Sequence, residues 1–201
     1  MHEAQRNVTA AVFSLEMSST QIQERILAID WQLSMKTLRI GHLTDHNFSR
    51  RTQATERVGK LSIHCKEGYD MNVVQIINRS RLLKIRRNIG LVVVDYLQLV
   101  SSGTKKVSRE RKIAEVSRRL RLLTLELKIS VVALSQLNDE GRLRESRAIG
   151  HDADTVIHIE DSGSANASER NIVLEKNRND RRGETVKLNF HGKCMTFEDA
   201  K

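Results

Sequence analysis

Three polar residues, each placed just behind an apolar run, are the positions where this chain could do chemistry. Glu16 follows Val8-Thr9-Ala10-Ala11-Val12-Phe13, Asp95 follows Leu91-Val92-Val93-Val94, and Gln136 follows Ile129-Ser130-Val131-Val132-Ala133-Leu134. Runs of this length and β-branched content predict buried strands. In open α/β sheets ligands bind outside the carboxyl ends of the strands, so the three side chains would share one edge. Hydrolysis of a terminal phosphate needs one carboxylate to organise Mg2+ and its waters, a second to orient or deprotonate the attacking water, and a polar group to sense the phosphate. An Asp behind a strand also serves as a turn former or helix cap, so the argument rests on the joint occurrence.

The elements that must position these residues follow from periodicity. Ser18-Ser19-Thr20-Gln21 has capping-box spacing, and Ile22, Ile26, Ile29 and Leu33 recur at helical intervals behind it. Residues 35–60 read as two short helices broken at Gly41-His42-Leu43-Thr44-Asp45, and 61–65 as a short strand. Asp70 is placed to cap a helix running from Val73 to Arg87, whose polar face carries Arg79, Arg81, Lys84, Arg86 and Arg87. A helix with Ile113, Val116, Leu120, Leu123 and Leu127 joins the strand ending at Asp95 to the one ending before Gln136, a βαβ unit that makes these two strands parallel. Beyond Asn138 come a strand over 155–160 and a hairpin-like pair over 171–176 and 185–190. A turn at His191-Gly192-Lys193 leads into a last strand over 194–197. The expectation is one α/β domain spanning 1–201.

The bulk numbers narrow the setting. Lys and Arg exceed Asp and Glu by nine, which favours a polyanionic partner such as nucleic acid. Two cysteines, Cys65 and Cys194, without CxxC spacing, support neither a disulfide framework nor a zinc site. No apolar run approaches a membrane span and the amino terminus lacks a signal-peptide core, so a cytoplasmic protein without membrane association is expected.

Five ordered strings carry a family resemblance: Phe13-Ser14-Leu15-Glu16-Met17, Val94-Asp95-Tyr96-Leu97-Gln98-Leu99, Val132-Ala133-Leu134-Ser135-Gln136-Leu137-Asn138, Leu143-Arg144-Glu145-Ser146 and Asp152-Ala153-Asp154. In order and content they resemble the carboxyl-terminal motor domain of the DnaB-family replicative DNA helicases, over nearly the whole chain. The resemblance implies a RecA-like P-loop NTPase core: a mostly parallel central sheet flanked by helices, with a C-terminal β-hairpin. It implies ATP and Mg2+ as cofactors and ATP-driven 5′-to-3′ translocation on single-stranded DNA with duplex unwinding. The implied partners are further copies in a hexameric ring, primase and a helicase loader.

Residue by residue, the resemblance makes Glu16 the water-activating glutamate, Asp95 the Walker B aspartate that holds Mg2+ through water, Gln136 the phosphate sensor and Arg25 an arginine near the nucleotide base. Lys176 and Arg178 match the basic pair inserted into a neighbouring subunit's ATP site, with Arg178 as the arginine finger. A guanidinium can contact two phosphate oxygens at once. From the residues alone, Lys176 and Arg178 are equally alternate residues on an exposed strand face. Arg144 and Glu145 match the loop presented to the DNA backbone; a helix-start salt bridge is the plain alternative. Arg147 stands where the family usually has glycine, adding a charge and removing backbone freedom, and the stretch Asp139-Glu140-Gly141-Arg142-Leu143 is a short connection for the family.

No Gly-x-x-x-x-Gly-Lys-Ser/Thr occurs in the 201 residues. The expected fold therefore lacks the P-loop strand and helix, and with them the amides and lysine that cradle phosphates. Loss of a central strand should leave apolar surface and unpaired backbone exposed. Two further readings stay open: an ATPase-deficient truncated homologue that binds DNA or joins a helicase ring, and a RecA-type recombinase or clock-protein-like ATPase of the same fold.

Overall fold

The computed structural model describes residues 8–40, 52, 55–102, 108–137, 147–179 and 183–200. The chain divides into two compact units, Met1–Ser19 with Leu61–Ala153, and Thr20–Lys60 with Asp154–Lys201.

The first unit is built on four parallel strands, β1 (Ala10–Ser14), β2 (Ile63–Glu67), β3 (Leu91–Asp95) and β4 (Ser130–Ala133), in the order β2-β1-β3-β4. Val92 and Val94 alternate with Leu91 and Val93, so β3 sends one set of side chains fully into the core, where Ala11, Phe13 and Leu15 of the neighbouring chain segment meet them. Helices α3 (Val73–Arg87) and α4 (Arg109–Leu127) close that core with Val73, Ile76, Ile113, Val116, Leu120 and Leu123. The apolar stripe expected on α4 is thus the face it buries. As expected from the βαβ pattern, β3 and β4 are parallel, with Val92 opposite Val131 and Val94 opposite Ala133.

Three local expectations are corrected. The cap of α3 is Asn72, not Asp70: the Asn72 side chain accepts from the Gln75 amide and the Gln75 side chain accepts from the Asn72 amide, both at 2.9 Å, a reciprocal pair that Asp70 stands two residues too early to make. β3 is not equally buried on both faces, since Leu91 and Val93 are only half-buried. β4 is not a buried strand but an edge strand among the described residues, with Val132 47% exposed and Leu134 45% exposed beyond its end. Composition describes side chains, whereas burial depends on whether a neighbour covers them.

The second unit carries an antiparallel meander, β5 (Thr155–Asp161), β6 (Glu169–Asn177), β7 (Glu184–His191) and β8 (Thr196–Asp199), in that spatial order. Phe190 of β7 and Phe197 of β8, directly paired, stack with ring centroids 4.9 Å apart. The helices α1 (Ser19–Trp31) and α2 (Met35–Ile40) reach this unit through the β7–β8 turn: the Met35 amide donates to the Lys193 carbonyl at 3.2 Å and the Cys194 thiol to the Gln32 carbonyl at 3.1 Å. Helix α5 (Arg147–Asp152) belongs to the first unit and buries Ile149.

One irregularity interrupts the second sheet. Along β5 and β6 the pairing steps from Val156↔Lys176 to Ile157↔Leu174, so Glu175 is an extra residue with no opposite number, a β-bulge.

Candidate nucleotide-hydrolysis site

Glu16, Asp95 and Gln136 are brought to neighbouring strand ends in the first unit. Ser14 and Asp95 are register partners at the ends of β1 and β3, and the Leu15 amide donates to the Asp95 carbonyl at 2.8 Å. The chain that delivers Glu16 is therefore bonded to Asp95's own backbone. Leu15 is buried and Glu16 exposed, so the apolar residue anchors the turn that lifts the carboxylate into solvent. Two further contacts fix that turn: the buried Ser14 hydroxyl accepts from the Met17 amide at 3.0 Å, and the Glu67 carboxylate accepts from the Ser19 amide at 2.7 Å. The latter is an anion at the first turn of α1, where amides lack intrahelical partners.

Beyond β3 the Asp95–Tyr96 peptide is cis and a single 3₁₀ turn covers Leu97–Leu99. The Leu97 amide donates to the Leu134 carbonyl at 2.9 Å, and the Leu134 amide to the Val94 carbonyl at 3.0 Å, carrying the β3–β4 pairing past the formal strand ends. Gln98 then grips the Gln136 segment in both directions. Its Nε2 donates to Ser135 Oγ at 2.9 Å and to the Gln136 carbonyl at 3.3 Å, while its Oε1 accepts from the Gln136 amide at 3.3 Å. Gln136 thus has a fixed backbone and an exposed side chain.

Among the described residues no three His, Cys, Asp or Glu side chains gather into a metal cage. The Asp95 carboxylate at a strand end fits a Mg2+ that keeps most of its waters and is shared with substrate phosphates, which is how this hard, slowly dehydrating ion is commonly bound. The donor set fits the ion and water side of the chemistry; the P-loop motif that would cradle the phosphates does not occur in the sequence.

In the second unit the bulge at Glu175 decides where the basic pair points. In a regular strand Lys176 and Arg178 would share a face with Ile172 and Leu174. Instead Lys176 pairs with Val156 while Leu174 and Ile172 pair with Ile157 and Ile159, so the bulge turns the basic pair to the opposite face. The bulged Glu175 contributes its own contact, its Oε2 lying 2.5 Å from Nε2 of the buried His158. Arg178, just past β6, is exposed and ion-paired with Asp154: Nη1 donates to Oδ1 at 2.9 Å, and the Arg178 amide donates to the Asp154 carbonyl at 2.9 Å. Arg25 is exposed on α1.

Arg144 and Glu145 lie outside the described residues, as does the 139–143 connection; Arg147 opens α5. Sequence reasoning did not assign Gln98, Ser14, Glu67, Glu175 or Asp154 a role. Gln98 and Asp154 stood inside strings singled out for resemblance, yet only the pairing of distant segments shows what they touch.

A family model for the DnaB-like helicase C terminal domain matches residues 1–199. The chain is 34% identical to the replicative DNA helicase DnaB of Mycobacterium leprae over 188 residues, 86% of this chain and 31% of that protein. It is 33% identical to the replicative DNA helicase DnaB of Geobacillus stearothermophilus over 201 residues, 92% of this chain and 44% of that protein. The chain thus spans less than half the length of these curated relatives. Among solved structures, an isolated ATPase domain superimposes with a TM-score of 0.89 at 23% identity, covering 98% of this chain and 76% of that one. A DnaB-like replicative helicase, described with its interactions with primase, also superimposes with a TM-score of 0.89, covering 98% of this chain and 52% of that one. The fold is therefore that of RecA-like DnaB ATPase domains, and the chain belongs to the DnaB-like helicase C-terminal domain family.

Proposed function

We propose that this chain is the motor portion of a cytoplasmic replicative helicase, coupling ATP hydrolysis to 5′-to-3′ movement along single-stranded DNA and duplex unwinding within a hexameric ring. The observation that carries the reading is the convergence of Glu16, Asp95 and Gln136 on adjacent strand ends, tied by the Leu15–Asp95 and Gln98–Gln136 hydrogen bonds. When bound, Mg2+ supplies charge neutralisation at the phosphates. Asp95 would hold the ion. Glu16 orients the attacking water and takes its proton, and its exposure leaves room for that water. Gln136 donates to the terminal phosphate as its sensor. Lys176 and Arg178 reach the phosphates of a neighbouring subunit, where a guanidinium stabilises charge on the transferring group. Arg25 packs near the base.

Arg144, Glu145 and Arg147 contact the DNA backbone in the ring channel, without reading sequence. Primase and a loader are the further partners, the first in keeping with the primase interaction of the DnaB-like structural neighbour.

The sequence of these 201 residues, which holds no P-loop motif, favours a second reading for the chain by itself: it joins a ring and donates Arg178 without turning over ATP of its own. Magnesium-dependent ATP hydrolysis by the purified chain, with and without single-stranded DNA, separates the two. Hydrolysis stimulated by DNA and abolished by Glu16→Gln supports the motor reading. Silence alone, with Arg178-dependent hydrolysis restored to a helicase ring lacking its own finger, supports the donor reading. DNA-stimulated hydrolysis that survives Glu16→Gln removes Glu16 from the role assigned here.

A further inference from the structure

Asp154 takes no part in the chemistry above, yet it is the residue that Arg178 touches. The two flank the Thr155↔Asn177 pair at one end of the β5–β6 ladder and stand opposite each other. A backbone bond of 2.9 Å from the Arg178 amide to the Asp154 carbonyl fixes their separation, and the Nη1–Oδ1 bond, also 2.9 Å, fixes one end of the guanidinium. Exposed ion pairs of this kind contribute little to stability. What this one does is geometric. A guanidinium offers five N–H donors in a planar fork, and with Nη1 turned to Asp154 its Nε–Nη2 edge, which has no partner among the described residues, remains for a bidentate anion. The bulge at Glu175 has already selected the face from which that edge projects.

We propose that Asp154 is the positioning residue of Arg178: its carboxylate clamps one end of the guanidinium so that the opposite edge is presented, pre-oriented, to phosphate oxygens. This rests on the reading of Arg178 as a phosphate-directed finger. Arg178 is a long side chain that loses rotamer freedom when it engages an anion, and Asp154 removes much of that freedom beforehand. A carboxylate that acted only as a competitor for the guanidinium would hinder phosphate binding, so the direction of the change on its removal separates clamp from competitor.

The test uses the 201-residue chain, with the Arg178 Nε–H and Nη–H signals followed by NMR during titration with inorganic pyrophosphate. In the wild-type chain the Nη protons show slowed rotation and the Arg178 signals shift with pyrophosphate. Asp154→Ala keeps the backbone bond, so the ladder persists, checked by amide exchange of Thr155 and Asn177. The Nη rotation becomes fast and the pyrophosphate midpoint at Arg178 weakens by roughly two- to tenfold, the range set by the rotamer freedom of one such side chain. Asp154→Asn, which retains an oxygen acceptor, recovers part of both. A midpoint in Asp154→Ala that is unchanged or tighter overturns the positioning role. Arg178 signals that ignore pyrophosphate in every variant instead refute the reading of Arg178 itself, and the positioning role falls with it.

Discussion

Replacing Gln98 by alanine tests whether the Gln136 segment is held from the end of β3. The carboxamide makes one well-formed bond, to Ser135 Oγ at 2.9 Å, and two longer ones of 3.3 Å to the Gln136 amide and carbonyl. All lie in a half-buried to exposed setting, where water replaces part of what is lost, so the set is worth about 1 kcal/mol, the net value of a single good hydrogen bond. For a domain unfolding with an m-value of about 2 kcal/mol/M in urea, that lowers the midpoint by about 0.5 M. The local signature is sharper. If opening of the Gln136 segment is made easier by about 1 kcal/mol, its amide exchanges about fivefold faster. The Leu134 amide, bonded to the Val94 carbonyl independently of Gln98, keeps its protection and is the internal control. Gln98→Glu separates the two halves of the grip. A carboxylate still accepts from the Gln136 amide and from a turned Ser135 hydroxyl but cannot donate to the Gln136 carbonyl, so the glutamate variant loses only the carbonyl bond and keeps most of the Gln136 amide's protection. Unchanged exchange at Gln136 in Gln98→Ala would refute the idea that Gln98 fixes this segment.

Three other outcomes follow from the same geometry. Asn72→Ala removes the reciprocal cap of α3 and is expected to destabilise the chain by about 1 kcal/mol, whereas Asp70→Ala leaves the urea midpoint within error; equal effects would contradict the assignment of the cap. Arg81 donates to Glu126 through Nε at 2.7 Å and Nη2 at 2.8 Å, bridging α3 and α4, and this hydrogen bonding holds the Glu126 carboxyl below its ordinary range. Because the folded state lowers this pKa, the pair's contribution is present at neutral pH and is lost as pH falls below the ordinary glutamate range, so Glu126→Gln should show a shallower loss of stability with acid than the wild-type chain. Deleting Glu175 removes the extra residue and leaves Leu174 opposite Ile157 and Lys176 opposite Val156 in a regular ladder; the contact to His158 is lost while the Arg178–Asp154 contact, read by NMR cross-peaks, should persist, and its disappearance would show that the end of the ladder depends on the bulge.

The local consequences of periodicity were legible in the chain itself. Alternating and β-branched runs before Glu16, Asp95 and Gln136 are strands or strand ends; the Ile113-to-Leu123 stripe is the buried face of a helix; and the βαβ spacing makes β3 and β4 parallel. The ordered strings around those residues also sufficed for family membership, because a motif is a local object. What the sequence left open depends on which distant segments lie side by side. Val131-Val132-Ala133 reads as buried from composition alone, but strand order leaves it at an edge among the described residues. Lys176 and Arg178 read only as alternate residues on an exposed strand face, because a bulge is defined only by the partner strand against which one residue is extra. Gln98 and Asp154 carry no signal of their own, since a carboxamide or carboxylate means little until pairing brings Gln136 or Arg178 within hydrogen-bond reach. Side-chain type and spacing determine which chemistry is available; long-range backbone pairing, with its strand order, register and bulges, decides where that chemistry points.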